Sequence, residues 1–224
     1  MIEFRYLQRA DAEAAADIHI EGQPGTTLTL LGRRFLVEFY RAVYTSKWSE
    51  GVGAFDDGRM VAQAAIAISS AKFFSEFKTR YLWRVAGPVA LSILRYPKIL
   101  TYTVQGWSYA EQTRSPDGEC DVVFLGVQRD YMRHGVGPEL VRYMFGWGGL
   151  IGLKSANFMI EKRNRPMRWM IGQLHGLYIA HEFEAYGREM LFYKIPIPLN
   201  LTDAKMPLGE SHTVSYISAN GKGK

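Results

Sequence analysis

The chain's central motif reads CDVVFLGV (residues 120–127), QRDYMRHGVG (128–137) and PELVRYMFGW (138–147). Its first part is apolar and rich in β-branched residues, which predicts a short buried strand. A polar loop ending in two glycines follows. The third part begins an apolar stripe at spacings of three and four, which predicts an amphipathic helix. That stripe consists of Leu140, Met144, Trp147 and Ile151.

The loop of this motif predicts an anion-binding site. The first N–H groups of a helix lack intrahelical partners, and the helix dipole places partial positive charge there. A glycine lets a phosphate approach the main chain without meeting a Cβ. Arg133 and His134 add charge. The backbone groups concerned belong to His134, Gly135, Val136 and Gly137.

Val127 stands eight residues before Gly135, and the string V-x7-G-V-G-x-x-L resembles the acyl-CoA motif of the GNAT superfamily of N-acetyltransferases. In that family the loop reads Q/R-x-x-G-x-G/A. Met132 occupies the Q/R position here and Arg133 follows it, so the usual arginine contact is displaced while the backbone cradle stays intact. The segment NRPMRWMIGQLHG (164–176) resembles the family's helix after strand five.

The order of predicted elements is also similar to the family's. The pattern predicts a strand at 2–7, helices at 12–19 and 31–43, and a hairpin whose strands span 51–55 and 60–69. A fifth strand at 156–161, a helix at 164–174 and a final hairpin at 177–195 complete it. We therefore expect an α/β (α+β) fold with a mixed, mostly antiparallel twisted sheet flanked by helices. Residues 1–198 would form one domain and 199–224 a tail.

A segment that typical family members lack, residues 71–118, separates the third and fourth strands. It is predicted to be helical over 73–94, with a break near Gly87 and Pro88. It is both basic and aromatic, and three interpretations remain open. It is a cap that buries its aromatics on the core, a wall of the acceptor site, or a contact for a membrane surface or nucleic acid through residues 72–98.

The resemblance implies transfer of an acetyl or other short acyl group from acyl-CoA to a primary amine, by direct attack of the amine. It implies that the pantetheine arm pairs with Leu125, Gly126 and Val127, and that a backbone N–H near Val127 stabilises the oxyanion. It also assigns Asn164 to the pantetheine arm. An ordinary helix N-cap is an equally good interpretation of Asn164.

Asp121 is the candidate general base, because it lies six residues before Val127, the offset of the glutamate base in the histone-acetyltransferase branch. Strand alternation predicts that it shares a face with Val123, Leu125 and Val127, where a carboxylate would be partly desolvated. A solvated aspartate at a strand end is the competing interpretation. Glu119 and Glu161 are weaker alternatives.

The family's usual general acid is a tyrosine, and Ile171 occupies its position. Tyr131 or Tyr178 would have to replace it, although either is more often a packed aromatic. Cys120 is expected to be a small buried hydrophobe rather than a nucleophile. The five histidines show no metal-ligand spacing, so no metal is expected.

The composition limits the classes of binding partner but does not identify one. The net charge of +5 and the pI of about 9.2 fit CoA, and equally nucleic acid or an anionic membrane. One cysteine and the lack of an apolar N-terminal segment favour a cytoplasmic protein. No nucleic-acid motif is present, so that partner is not expected. A CoA-binding sensor without catalysis is the main alternative, and the oligomeric state stays open.

Overall fold

The computed structural model describes residues 1–101, 115–174, 176–185 and 187–197, and the predicted tail falls outside these ranges. One seven-stranded sheet runs through this part of the chain, in the order β1-β2-β3-β4-β5-β7-β6. The strands are β1 Ile2–Tyr6, β2 Ser49–Asp56, β3 Arg59–Ala67, β4 Glu119–Val127, β5 Ser155–Glu161, β6 Tyr178–Ala185 and β7 Arg188–Pro196.

Helices cover both faces of the sheet. They are α1 Ala12–Gly22, α2 Thr27–Leu30, α3 Arg33–Val43, α4 Ser70–Arg95, α5 Val136–Leu150 and α6 Arg165–Ile171. All neighbouring strands pair antiparallel except β4 and β5, which pair in parallel. The predicted mixed, mostly antiparallel sheet is therefore confirmed.

The sheet has a separate core on each face. On one face α5 packs Leu140, Met144 and Trp147 of the predicted stripe against the strands, Ile151 follows directly after the helix, and all four are buried. On the other face α1, α3 and α4 enclose a second core that is rich in aromatic rings. The longer helices α1, α3 and α5 thus bury one apolar side, as their period predicts.

The helix that follows β3 differs from the prediction. α4 runs from Ser70 to Arg95 without a break, although Pro88 lies inside it. Proline removes one N–H from the helix ladder and usually kinks or ends a helix. Here Phe73, Phe77 and Val85 are buried against the protein, and Ser92 Oγ donates to the carbonyl of Leu31 at 3.0 Å. These contacts hold the helix on both sides of the proline.

Candidate functional site

The two parallel strands at the centre of the sheet separate part-way along their length. β4 and β5 pair only over Glu119–Ser155, Cys120–Ala156 and Asp121–Asn157. Beyond Asp121 and Asn157 both strands continue, to Val127 and Glu161, without pairing to each other. We call the point where they separate, at Asp121 and Asn157, the vertex. Beyond the vertex the backbone edges of β4 and β5 face each other without pairing.

A β-bulge interrupts β4 just above the vertex. Ala65 pairs with Phe124 and Ile66 with Val122, so Val123 is the extra residue. A bulge reverses the side-chain alternation of the residues beyond it. Leu125 and Val127 consequently pack with the α5 core, whereas Phe124 and Val123 pack with the α1, α3 and α4 core.

The bulge corrects the face predicted for Asp121. Its side chain bonds to Ser70, the first residue of α4, and so it lies on the face of Val123 but not on that of Leu125 and Val127. The prediction from simple alternation was wrong because one inserted residue moves every later side chain to the other face. Asp121 is half-buried on the helical face that α4 partly covers.

A row of polar side chains crosses the sheet at the vertex. Asp121 lies opposite Asn157, Asn157 lies opposite Lys194, and Lys194 lies opposite Tyr178. Directly opposed residues point to the same face of a sheet. The row therefore places a carboxylate, an amide, an ammonium and a phenol along one line of the surface.

Hydrogen bonds join Asp121 and Asn157 of this row through Ser115. Ser70 Oγ donates to Asp121 Oδ2 at 2.5 Å, and Ser115 Oγ donates to Asp121 Oδ1. Asn157 Nδ2 donates to Ser115 Oγ at 2.6 Å and to Glu119 Oε2 at 3.0 Å. A carboxylate offers about four lone-pair positions. Asp121 is thus held in place by two hydroxyls and keeps capacity to accept a further proton.

Asn157 and Glu119 complete the vertex. Asn157 is 2% exposed, and its Oδ1 has no hydrogen-bond partner among the described residues. Lys194 Nζ bonds to both Glu119 oxygens, at 2.9 and 2.7 Å. Because Glu119 is already neutralised by this lysine, it is a poorer candidate base than Asp121. Asn157, Lys194, Ser70 and Ser115 were not singled out from the sequence, and only Asn157, a polar residue in an apolar strand, carried a signal.

The loop after β4 leads into α5 at Gly135, the glycine around which the anion site is predicted. Gly135 caps α5 with a left-handed φ of 81°, and a Cβ added to it would meet no atom within 4 Å. Glu139 N bonds to Gly135 O, and Pro138 has no N–H. The amides of Val136 and Gly137 are therefore the first-turn donors that remain at this tip.

The cationic residues of the loop lie beside this tip. Arg133 and His134 are exposed, and Arg133 adopts a φ of 65°. Among the residues described here, neither one forms a salt bridge. Met132, at the position of the family's first basic residue, is also exposed. The loop thus offers positive charge, open space and helix-terminal amides together.

Two other glycines of the motif have a packing role. A Cβ on Gly137 would lie 2.7 Å from Met170 Sδ, and a Cβ on Gly126 would lie 2.5 Å from Phe124 Cζ. Close approach of α6 therefore explains Gly137, and the ring of Phe124 explains Gly126. Only Gly135 of these three faces open space.

Several further candidates occupy definite structural roles. Asn164 caps α6, since its side chain accepts from Met167 N at 3.2 Å. Ile171 is fully buried, so no acid stands at the family's tyrosine position. Glu161 is bonded by Arg163 and Arg188.

Tyr131 and Tyr178 differ in their distance from Asp121. The far end of β4, Val127, lies about 20 Å along the strand from Asp121 at 3.3 Å per residue, and Tyr131 follows it. Its OH donates to Asp56 Oδ2 at 2.9 Å, and this bond raises the pKa of Tyr131. Tyr178 lies on the polar row itself, about 14 Å from Asp121 across three strand spacings. Tyr178 is the better placed of the two.

A buried histidine beside the site was missed from the sequence. His19 on α1 is 1% exposed; its Nδ1 lies 2.7 Å from Tyr40 OH, and its ring stacks on Phe124 at 4.4 Å between centroids. Burial lowers the pKa of His19 to about 4, so the imidazole is neutral at pH 7. Cys120 is buried in the α5 core, and burial raises the pKa of its thiol, which rules against a thiolate nucleophile.

Comparison with solved structures identifies the fold. The ribosomal-protein-S18-alanine N-acetyltransferase of Escherichia coli superposes with a TM-score of 0.57 at 13% identity, covering 88% of this chain and 94% of the other. A GNAT-family acetyltransferase of Streptococcus pneumoniae gives 0.56 at 15% identity and covers 88% and 100%. The fold is that of the GNAT superfamily. A third solved structure, the PaiA N-acetyltransferase of Thermoplasma acidophilum in complex with coenzyme A, gives 0.53 at 10% identity, covering 88% and 99%.

Comparisons of the sequence itself find no relative. No family model matches the chain, and no curated protein matches it. Within the described ranges, no group of three or more His, Cys, Asp and Glu residues could hold a metal ion. A search of the same residues finds no helix with the length and hydropathy needed to cross a membrane.

Proposed function

We propose that this protein is an acyl-CoA-dependent N-acyltransferase that moves an acetyl or other short acyl group to a primary amine of a small-molecule acceptor. One observation carries the proposal: β4 and β5 separate at Asp121 and Asn157, and β4 leads directly into the glycine-capped start of α5. An open strand edge and an anion site thus lie along a single β-strand–loop–helix unit. This arrangement suits a ligand with a diphosphate and an extended amide-bearing arm.

The residues present fit acetyl-CoA as the co-substrate. The amides of Val136 and Gly137, with Arg133 and His134, would hold the diphosphate. The unpaired edge of β4 at Leu125, Gly126 and Val127 would accept the pantetheine amides. Asn164 is bound to its own helix through Met167 N, and a contact to the pantetheine arm would use its remaining amide group. Acetyl-CoA would supply an acyl carbonyl that is activated as a thioester.

Asp121 would act as the general base of the reaction. It would accept a proton from the acceptor's ammonium, directly or through a water, while Ser70 and Ser115 keep the carboxylate in one orientation. The orphaned Asn157 Oδ1 beside it would accept from a second N–H of the same amine. The backbone at the Val123 bulge and along β4 to Val127 supplies the N–H groups nearest the vertex for the oxyanion.

Thiol release in the presence of acetyl-CoA and a panel of primary amines tests the activity. Thermal unfolding with and without CoA tests binding separately, because a ligand that binds only the native state raises the melting temperature. Binding with no thiol release from any amine would favour a CoA-responsive sensor. That alternative is supported by the buried Ile171, which replaces the usual acid. Absence of any thermal shift at saturating CoA would overturn both.

A further inference from the structure

The outer side of helix α4 is an exposed apolar surface. Leu82, Trp83, Leu91 and Leu94 are between 58% and 80% exposed, and Ala86, Gly87 and Ala90 between them are exposed as well. At 3.6 residues per turn these residues fall within about half of the helix circumference. We call the set from Leu82 to Leu94 the α4 outer face. Scattered exposed leucines are normal, but a contiguous apolar stripe marks an interaction surface.

The charged residues that follow Glu76 in the α4 segment are all basic. From Phe77 to Ala110 the sequence contains no aspartate or glutamate, whereas Lys78, Arg80, Arg84, Arg95 and Lys98 all fall within it. The guanidinium of Arg84 lies 4.8 Å from the Trp83 ring centre, and that of Arg95 lies 5.5 Å from the Tyr96 ring centre. Basic groups therefore border the apolar stripe, and Arg84 contacts the one aromatic residue on it, Trp83.

The opposite side of α4 is occupied by the protein itself. Phe73, Phe77 and Val85 are buried in the aromatic core, and Ser92 bonds to Leu31. The inner side of α4 therefore acts as a cap that buries its aromatic residues on the core, and the outer side remains to be explained. A helix with a buried inner side would normally be polar on its outer side. On α4 the outer side is apolar as well, so the helix has a second surface that the fold does not use.

We propose that the α4 outer face docks on the surface of an anionic lipid bilayer. Leucines and a tryptophan would enter the boundary between headgroups and acyl chains, and the bordering arginines and lysines would contact lipid phosphates. Arg80 and Arg84 are engaged by Glu76 and Glu38, whose side chains are only 18% and 16% exposed, so contact with lipid phosphate would rest mainly on Arg95 and Lys98. The proposal does not rest on the acyltransferase activity.

Charge and chemistry disfavour the other occupants of this face. A second copy of the chain would bring the same basic border against itself, which is repulsive. Nucleic acid would satisfy the basic groups, but single-stranded binding relies on aromatic platforms. The α4 outer face carries one aromatic, Trp83, among aliphatic side chains that nucleic acid would leave exposed. An anionic bilayer satisfies the leucines and the basic residues at once.

Vesicle flotation tests the proposal with the full chain. We expect the protein to float with vesicles of phosphatidylcholine containing phosphatidylglycerol, to float much less with phosphatidylcholine alone, and to be released as NaCl is raised. Equal binding to both vesicle types, or no binding to either, overturns the proposal. Because CoA binding is measured separately by thermal shift, failure here leaves the acyltransferase proposal untouched.

Two matched pairs of variants locate the surface. Trp83→Ser with Leu94→Gln should lower partitioning into anionic vesicles at least about tenfold, since two apolar side chains no longer insert. Trp169→Ser with Leu150→Gln removes exposed apolar groups elsewhere, 71% and 59% exposed against 71% and 80% for Trp83 and Leu94, and should leave partitioning unchanged. Arg95→Gln with Lys98→Gln should lower it on the order of tenfold, whereas Arg9→Gln with Arg165→Gln, with the same charge loss, should change it little.

The remaining outcomes identify a different occupant. All these side chains are exposed, so each variant should unfold at the wild-type temperature. If the control pairs lose vesicle binding as much as the α4 pairs, the contact lies elsewhere and the proposal fails. It fails also if sedimentation shows a dimer that the Trp83 and Leu94 pair abolishes while vesicles do not bind. Retention of oligonucleotides without vesicle binding overturns it in favour of nucleic acid.

Discussion

The two ends of strand β4 differ in the groups that they present to a ligand. At its start, Glu119–Asp121 pairs with β5, Asp121 pairs with β3 as well, and the polar side chains of Glu119 and Asp121 join a network that spans neighbouring strands. At its end, Leu125–Val127 pairs only with β3. The backbone there is open toward β5 and leads to a helix start that faces open space at Gly135. The first end positions side chains, and the second offers main-chain groups.

This difference teaches that binding and turnover should be separable by mutation. Changes at the open end should remove ligand binding, because the main chain itself makes the contact. Changes at the paired end should leave binding and slow the reaction, because side chains do the work there. The bulge at Val123 divides the two, since it decides which face each side chain serves.

The largest expected effect is at the open end. Gly135→Val places a β-branched side chain at a φ of 81° in the space proposed for the diphosphate. CoA should then give no thermal shift. Gly58→Val is the matched control, because Gly58 has a φ of 78° and equally open surroundings at the β2–β3 turn. Both variants should lose about 1–2 kcal/mol of stability from left-handed strain. A Gly135 variant that still binds CoA would remove the loop from the site.

The second prediction concerns the paired end. Asp121→Asn keeps the shape and the packing of the side chain but removes the proton acceptor. Turnover should fall by about 10²–10⁴-fold, while the thermal shift induced by CoA should equal that of the wild type within experimental error. Glu119→Gln should reduce turnover far less, because Lys194 already engages that carboxylate. If the two variants lose turnover equally, Asp121 is not the base.

A third prediction sharpens the role of the bulge, which turns Phe124 onto the ring of His19. The folded-state pKa of His19, about 4, lies below its unfolded value of about 6.5, so the unfolded chain binds the extra proton first. Stability should therefore be full above about pH 6.5 and should fall by roughly 3 kcal/mol as the pH drops toward 4. Urea unfolding across this window measures the slope.

His19→Phe is the test of that assignment. It keeps an aromatic ring against Phe124 and removes the titrating group, although Tyr40 loses one of its hydrogen-bond partners. The variant should lose most of the pH dependence between 6.5 and 4 while starting from a lower stability at pH 7. An unchanged slope would mean that other groups cause the acid sensitivity.

The smallest expected effect comes from the hydroxyls that hold Asp121. Ser115→Ala removes one donor to the carboxylate and the acceptor of Asn157 Nδ2. A hydrogen bond of this kind contributes about 1 kcal/mol, so turnover should fall by roughly fivefold. Ser115→Thr keeps the hydroxyl and should restore most of the rate. A loss as large as that of Asp121→Asn would give Ser115 a direct part in the chemistry.

By itself the sequence determined most of the helices and strands and the position of the glycine turn before α5. Periodicity placed the buried stripe of α5 and the order of strands, because burial follows the repeat of each backbone. The glycine spacing indicated an anion site at Gly135, since a left-handed cap before a helix is a local property of the backbone. The resemblance of the motif to acyl-CoA enzymes of the GNAT superfamily then indicated the fold, which the structure comparisons confirm.

Only the tertiary structure decided what meets at the vertex. Ser70, Ser115, Asn157 and Lys194 come from separate parts of the chain, and no local pattern relates them to Asp121. The bulge at Val123 depends on pairing with β3, so alternation read from β4 alone gave the wrong face. The continuous helix through Pro88 depends on packing on both sides of the proline. Contacts between residues distant in sequence arise from pairing and packing of whole elements, and these exist only once the chain has folded.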